Sequence, residues 1–142
     1  MADYVIRRVV ISTVFLVVIL TGLATASSED NFDGAVWKFQ MTNKLNPSSV
    51  FVGRFRVSNH ILYQKASPSD PKYSKRVGEN HPNHKKTRLE VNDFRVFTQI
   101  GKKMSTIKGT GRLSYKELGE WSGLFTDGDG NNWKFKAARI QE

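Results

Sequence analysis

Large apolar side chains recur at every second position along much of this chain. Trp37, Phe39 and Met41 alternate with polar Lys38 and Gln40. Further runs of the same kind cover residues 51–57, 88–92, 107–115, 121–125 and 133–137. A period of two places successive side chains on opposite faces of a β-strand, whereas a helix repeats about every 3.6 residues. The pattern therefore predicts half-buried strands with one face in a core and one in solvent.

Turn-forming residues separate these runs. The first run is followed by Asn-Pro-Ser-Ser at residues 46–49, and residues 127–132 read Asp-Gly-Asp-Gly-Asn-Asn. Short strands separated in this way are typical of antiparallel sandwiches and barrels. Glycines at positions 53, 109, 111 and 123 fall on the inward parity, where glycine marks close backbone approach or a sharp bend. The sequence predicts an all-β, single-domain antiparallel barrel or curved meander of about seven to eight strands.

The first 26 residues have the organisation of a signal peptide. Two arginines at positions 7 and 8 precede an uncharged, mainly apolar stretch over residues 9–23, and Ala24-Thr25-Ala26 follows. A basic flank, a short apolar segment and two small residues at the cleavage site direct export and removal of the segment. We therefore expect a signal helix over residues 1–26, and a mature protein in the periplasm, on the cell surface or secreted. The alternative is an N-terminal membrane anchor, although spanning helices need about 20 predominantly apolar residues.

The rest of the chain suits one domain without disulfides. Residues 27–34 are predicted to be a flexible mature N-terminus, and residues 35–142 to form the β domain. The chain has no cysteine, but its 9 Phe, 3 Trp and 4 Tyr supply large apolar areas for a core. Trp121, Phe125, Trp133 and Phe135 are expected to form one core cluster across a hairpin at residues 127–132. An interior this rich in aromatic residues favours a filled barrel.

One segment lacks the alternation. Residues 64–87 hold three of the four prolines, few large apolar side chains and many cations. Long stretches without secondary structure are usually functional loops or disordered segments. We interpret this segment as a long basic surface loop between two strands.

Catalytic motifs are incomplete. In Gly119-Glu120-Trp121-Ser122-Gly123 the central position is tryptophan, whereas a nucleophile elbow requires a central serine. Gly109-Thr110-Gly111 lacks the third glycine and the following helix of a dinucleotide-binding loop. The sequence therefore predicts a protein that is not an enzyme and that uses no cofactor.

Metal-binding patterns are incomplete as well. Residues 127–132 begin like an EF-hand loop, but Asn132 and Ala138 occupy the positions of its glycine and its bidentate glutamate. His81 and His84 lie in the proline-containing basic segment, which offers too few ligands for zinc. We predict no metal site, and we predict a β-hairpin turn at residues 127–132.

Positive charge is the strongest functional signal. The chain carries 22 Lys and Arg against 13 Asp and Glu, a net charge of +9. Such an excess favours anionic partners, and the alternative is a surface that is only solubilising. The predicted binding residues are Lys72, Lys75, Arg76, Lys85, Lys86, Arg88, Lys102 and Lys103. We expect an exported, non-enzymatic binding or structural module for an acidic polysaccharide or an anionic membrane surface, with no specific nucleic-acid partner.

Residues 31–39 read Asn-Phe-Asp-Gly-Ala-Val-Trp-Lys-Phe. This segment resembles the first strand of lipocalins and fatty-acid-binding proteins, with two residues between Gly34 and Trp37 where that family has one. Arg139 resembles the arginine that packs over the first tryptophan in that family. The resemblance implies a closed barrel and, as an alternative function, a carrier of a small apolar ligand. The C-terminal run from Trp121 also resembles the ending of small exported bacterial proteins.

The mature protein is expected to begin at Ser27, because signal peptidase cleaves after small residues spaced as in Ala24-Thr25-Ala26. Intact-mass measurement of the protein released from its native host would determine the N-terminus. Recovery of the chain with Met1 in a membrane fraction would instead establish the anchor.

Overall fold

The computed structural model describes residues 32–141. The predicted signal peptide over residues 1–26 and residues 27–31 of the predicted flexible segment lie outside this range. Within residues 32–141, no helix is both long enough and apolar enough to cross a membrane.

Within the described residues, eight antiparallel strands pair in chain order, and β1 pairs with β8 to close the ring. The strands are β1 (Val36–Asn43), β2 (Val50–Ser58), β3 (Ile61–Lys65), β4 (Tyr73–Asn83), β5 (Lys86–Thr98), β6 (Met104–Tyr115), β7 (Glu120–Asp127) and β8 (Asn132–Ile140). A 3₁₀ turn at Glu117–Gly119 connects β6 to β7. The predicted all-β antiparallel barrel is therefore confirmed, with eight strands.

The connections fall at two ends, because consecutive strands run in opposite directions. At the proximal end the chain enters through Phe32, and the turns at residues 59–60, 84–85 and 116–119 lie there. The distal end carries the connections at residues 44–49, 66–72, 99–103 and 128–131. This division decides which charged residues can act together.

Aromatic rings fill the middle of the barrel. Phe39 stacks on Phe94 at a centroid distance of 4.6 Å and on Phe135 at 5.3 Å. Gly53 lies opposite Phe39 on β2, and a Cβ atom there would stand 2.6 Å from the Phe39 ring. Glycine is required at this position because the ring occupies the space of a side chain.

The predicted cluster across the last hairpin is confirmed. Trp121, Phe125, Trp133 and Phe135 are all buried and belong to the one hydrophobic core. Their inward parity follows from the register, in which Trp121 faces Ala137 and Phe125 faces Trp133.

Phe32 closes the proximal end, so the prediction of a flexible segment is wrong for residues 32–34. Its ring is fully buried, stacks on Trp37 at 5.0 Å and meets Trp121 edge-on at 5.2 Å. The Trp37 indole Nε1–H donates to the Phe32 carbonyl over 2.9 Å. The Asp33 carboxylate accepts a hydrogen bond from the His60 backbone N–H. These contacts attach the entering chain to the core before the first strand begins.

The predicted long loop at residues 64–87 is wrong for most of its length. Residues 73–83 form β4, residues 86–87 begin β5, and only residues 66–72 and 84–85 are connections. The sequence of β4 lacks the period-two pattern because few of its residues are buried. The buried ones are Val77, Gly78 and the polar Asn80. Its hairpin with β5 also extends past the end of β3 through Pro82 and Asn83, where neither face needs apolar side chains.

A buried glutamine joins the barrel where β2 changes partners. β2 pairs with β3 at residues 56–58 but directly with β5 at Phe51 and Val52. Between these two regions, the Gln64 amide donates to the Arg54 carbonyl at 2.9 Å and to the Arg95 carbonyl at 3.0 Å. Its oxygen accepts the Arg95 backbone N–H at 2.7 Å. The side chain thus satisfies backbone groups that the diverging strands would leave unpaired.

The predicted hairpin at residues 127–132 is confirmed, and Asp127 organises it. One carboxylate oxygen accepts the backbone N–H groups of Asp129 and Asn131, each at 2.9 Å. The other accepts the indole N–H of Trp133 at 2.9 Å and the Asn131 side-chain amide at 3.2 Å. Partial burial raises the pKa of Asp127, but these hydrogen bonds outweigh it and hold the pKa below its ordinary value of 3.8.

Replacing Trp133 with alanine should lower the free energy of unfolding by about 3–5 kcal/mol, the usual cost of removing a buried aromatic ring. Chemical denaturation measures this loss. The matched control is Lys134→Ala, an exposed neighbour on the same strand, which should change stability by less than about 0.5 kcal/mol. Equal effects of the two substitutions would contradict the inward placement of Trp133.

Asp127→Asn should destabilise the protein at neutral pH by about 1 kcal/mol, because an amide group cannot accept all the hydrogen bonds of the carboxylate. A depressed native pKa stabilises the fold above the unfolded-state pKa, and this contribution disappears as the pH falls through the native value. The stability difference between the parent and Asp127→Asn should therefore narrow as the pH falls below 3.8.

Asp129→Asn is the matched control, with the same charge change two residues away. Denaturation curves recorded at neutral and acidic pH compare the three proteins. A stability gap between the parent and Asp127→Asn that stays constant with pH would contradict the role assigned to the Asp127 carboxylate.

Candidate functional site

The eight predicted binding residues do not form one patch. Lys72, Lys102 and Lys103 lie in connections at the distal end, whereas Lys85 and Lys86 lie where β4 turns into β5 at the proximal end. Strand β5, of 13 residues, separates the two groups, and at about 3.3 Å per residue its length is about 40 Å. A single compact anion therefore cannot contact both groups.

Three of the predicted residues already have acidic partners, and one of them, Arg88, pairs with Glu90 at 3.0 Å. The Lys75 ammonium forms an ion pair with the Asp93 carboxylate, and Arg76 pairs with Glu79 at 3.2 Å. These pairs lie on the outside of the β3–β5 region. An anionic ligand would have to displace a carboxylate from each of them, so they contribute less to a binding surface than unpaired cations do.

A different set of cations lies together on the outer wall of the barrel. We call this set the cationic wall. It comprises Lys86, Arg88, Arg112, Lys134 and Lys136.

The register aligns these side chains in two rows across strands β5 to β8. In the first row Arg88 is opposite Arg112, Arg112 is opposite Leu124, and Leu124 is opposite Lys134. Adjacent strands lie about 4.8 Å apart, so the row is about 14 Å long. Leu124 is half exposed in the middle of it.

On each strand, the second row lies two residues closer to the proximal end. Lys86 is opposite Ser114, Ser114 is opposite Ser122, and Ser122 is opposite Lys136. Both rows point outward because the intervening residues, such as Leu113 and Phe135, are buried in the core. The wall thus combines ammonium and guanidinium groups with hydroxyl groups on one exposed face.

Most of the wall is electrostatically unpaired. Within residues 32–141, these four cations form no ion pair: Lys86, Arg112, Lys134 and Lys136. Arg88 is the exception, since it pairs with Glu90 at 3.0 Å. The Glu90 carboxylate is also 3.3 Å from the imidazole of His81, at the edge of the wall.

An open cleft of about 540 Å³ runs along one side of the wall. Arg88, Arg112 and Lys86 line it together with His81, Asn83 and Ser114. It lies on the outer surface of β4, β5 and β6 and not inside the barrel. The arrangement can hold an extended anion by charge and by hydrogen bonds from hydroxyl and amide groups.

Sequence reasoning missed Arg112, Lys134 and Lys136. Each of them occupies an outward position in a strand whose alternation was recognised, so parity alone assigns them to the outer face. What the sequence does not show is the register that places β6, β7 and β8 side by side. The binding residues predicted from the sequence lie in short runs along the chain, whereas the cationic wall is assembled across strands.

Metal ligands are sparse among residues 32–141, which contain no group of three or more His, Cys, Asp or Glu side chains arranged to hold an ion. In the hairpin at residues 127–132, the Asp127 carboxylate is occupied by hydrogen bonds within the turn.

No protein-family model matches the chain. No curated protein matches it either. Among solved structures, the chain is similar to a redesigned beta barrel, with 14% sequence identity, a TM-score of 0.46, and an alignment that covers 82% of this chain and 96% of the other.

Proposed function

We propose that the protein is an exported, non-enzymatic binding module whose cationic wall binds an acidic polysaccharide. The observation that carries this proposal is the pair of outward rows on β5 to β8, in which four cations have no acidic partner within residues 32–141. Export rests on the signal-peptide features of residues 1–26.

The arrangement of charge supports a repeating polyanion. Arg88 and Arg112 are directly opposite one another on β5 and β6. Like charges in this position destabilise a sheet unless another group compensates them. Glu90 compensates Arg88 only, so Arg112 gains from an external anion. A polysaccharide with a charged group on successive sugars supplies anions along both rows.

The polar and apolar neighbours of these cations also suit a carbohydrate. Ser114 and Ser122 offer hydroxyl groups between Lys86 and Lys136. Leu124 offers an exposed apolar contact to the C–H face of a sugar ring. Single-stranded nucleic acids usually bind to aromatic stacking platforms. The cationic wall has no aromatic side chain, so the composition favours a polysaccharide.

The alternative is a lipocalin-like carrier of a small apolar ligand. Closed antiparallel barrels of eight strands suit that role when their interior is open. Here the rings of Phe39, Phe94 and Phe135 stack through the centre of the barrel. Two interior polar atoms, Asn80 Oδ1 and Trp121 Nε1, have no hydrogen-bond partner within residues 32–141. Ring packing leaves the carrier less well supported than the wall.

Substituting three wall residues should weaken retention on immobilised heparin and polygalacturonate. The variant Arg112→Gln/Lys134→Gln/Lys136→Gln removes three unpaired cations, and exposed charges act mainly through screened Coulomb attraction. We expect it to elute at clearly lower salt than the parent, with little change in stability because the three side chains are exposed.

The charge-matched control is Lys44→Gln/Lys102→Gln/Lys103→Gln, which removes three cations from the distal end. It should elute close to the parent. Equal weakening by both triple variants would mean that net charge alone causes retention, and the proposed function would then fail. Dextran, an uncharged polysaccharide, should retain none of the proteins.

A further inference from the structure

Of the five exposed large apolar side chains within residues 32–141, three lie at the distal end. Leu45 is 94% exposed, Ile100 87% and Met104 50%. Single exposed apolar residues are common on soluble proteins and need no explanation. A group of them at one end of a barrel is a candidate contact surface for another apolar phase.

The two most exposed of these three side chains stand on adjacent connections. Leu45 lies in the connection at residues 44–49, and Ile100 in the turn at residues 99–103. The bases of these connections are in contact, since Phe51 pairs with Thr98 and the Gln99 backbone N–H donates to the Val50 carbonyl. Both apolar side chains therefore stand at the same end of the barrel, on connections whose bases are in contact.

Local turn chemistry holds Ile100 in this exposed position. Gly101 and Lys102 have positive φ angles of 83° and 50°, which reverse the chain directly after Ile100. Lys103 returns to the barrel wall through the hydrogen bond from its N–H to Thr98 Oγ1. Tight turns favour glycine and small polar residues. An isoleucine beside this turn is therefore not explained by the turn itself.

Lysines accompany each apolar side chain. Lys44 precedes Leu45, and Lys102 and Lys103 follow Ile100. Lys44, Lys102 and Lys103 are exposed, and none of them forms an ion pair within residues 32–141. The acidic residues of this end are Asp70 at residues 66–72, Asp127 at the end of β7 and Asp129 at residues 128–131. The last hairpin adjoins Lys44, whose backbone N–H donates to the Asn132 carbonyl.

We propose that the distal end docks on a membrane surface that contains anionic lipids. Leu45 and Ile100 enter the interface between headgroups and acyl chains, and Lys44, Lys102 and Lys103 contact lipid phosphates. Apolar insertion combined with basic residues at the rim is the physical basis of reversible interfacial binding. This surface is separate from the cationic wall and does not depend on the proposed polysaccharide function.

The opposite end provides a matched control for the test. Leu118, 99% exposed, stands in the turn at residues 116–119. It lines the same surface cleft as Gly34, close to the point where the chain enters the barrel. If residues 1–31 rather than the distal loops held the protein at a membrane, Leu118 would be nearer to the lipid than Ile100.

The first experiment uses the full chain and compares Ile100→Trp with Leu118→Trp. Vesicles of equal parts phosphatidylcholine and phosphatidylglycerol, with brominated acyl chains, quench tryptophan on contact. The native Trp37, Trp121 and Trp133 are buried and contribute little contact quenching. We expect strong quenching in Ile100→Trp and little in Leu118→Trp. Equal quenching, or quenching of Leu118→Trp alone, would overturn the proposal.

The second experiment measures binding to the same vesicles by flotation. Leu45→Ser/Ile100→Ser should weaken binding by about tenfold or more, since burying a single aliphatic side chain already contributes about that much. Leu118→Ser, which removes the same kind of side chain at the opposite end, should bind like the parent. Vesicles of phosphatidylcholine alone should bind the parent weakly. Absence of parent binding to the anionic vesicles would overturn the proposal.

A second copy of the chain is the competing occupant of this end. Sedimentation velocity of the parent and of Leu45→Ser/Ile100→Ser distinguishes the two occupants. A dimer that dissociates in the double variant, with vesicle binding unchanged, would overturn the membrane proposal. The wall substitutions Arg112→Gln/Lys134→Gln/Lys136→Gln, introduced into the Ile100→Trp protein, should leave its quenching by the vesicles unchanged. Failure of the polysaccharide function and failure of membrane docking therefore give different results.

Discussion

The stacking of Phe39 between Phe94 and Phe135 is the contact on which the rest of the structure depends. The three rings come from β1, β5 and β8, so one stack connects strands from opposite sides of the ring. Gly53 gives the Phe39 ring its space, and a larger residue there would push it out of the stack. Because side chains fill this part of the barrel, the chemistry available to partners lies on the outer wall and at the two ends.

The partner change of β2 shapes the distal end. Near Phe51, β2 pairs directly with β5, so β3 and β4 do not take part in the ring at that level. Gln64 satisfies the backbone where the strands separate. A leucine there would leave these backbone groups without partners, and each unsatisfied buried group costs about 1–3 kcal/mol. This narrowing also brings the connection carrying Leu45 next to the turn carrying Ile100.

Much of the barrel could be predicted because its strands alternate apolar and polar residues. β4 was missed since its inward positions include Gly78 and Asn80, and its hairpin with β5 extends beyond the ring. Phe32 was missed because a single aromatic residue before a strand has no periodic signal. The binding surface was harder to predict than the fold. Lys86 and Lys102 were predicted to belong to one binding surface, but they lie at opposite ends of β5. Arg88 and Arg112 become neighbours only through the register.

The two candidate surfaces differ in what stabilises their charges. On the wall, Arg88 faces Arg112 across paired strands, and rigid backbone hydrogen bonds keep the two cations at a fixed spacing. In the distal connections, Lys44 and Lys102 are exposed, and the long side chain of lysine can extend its ammonium group toward a lipid surface. A fixed array suits a ligand with regularly repeated charge, whereas exposed lysines beside apolar side chains suit an interface without fixed positions. Outward parity requires only that a residue be polar, so the choice of arginine opposite arginine is not explained by folding. Local departures from the most stable choice are expected at functional sites, so under the proposed function Arg112 is the wall residue with the least structural explanation.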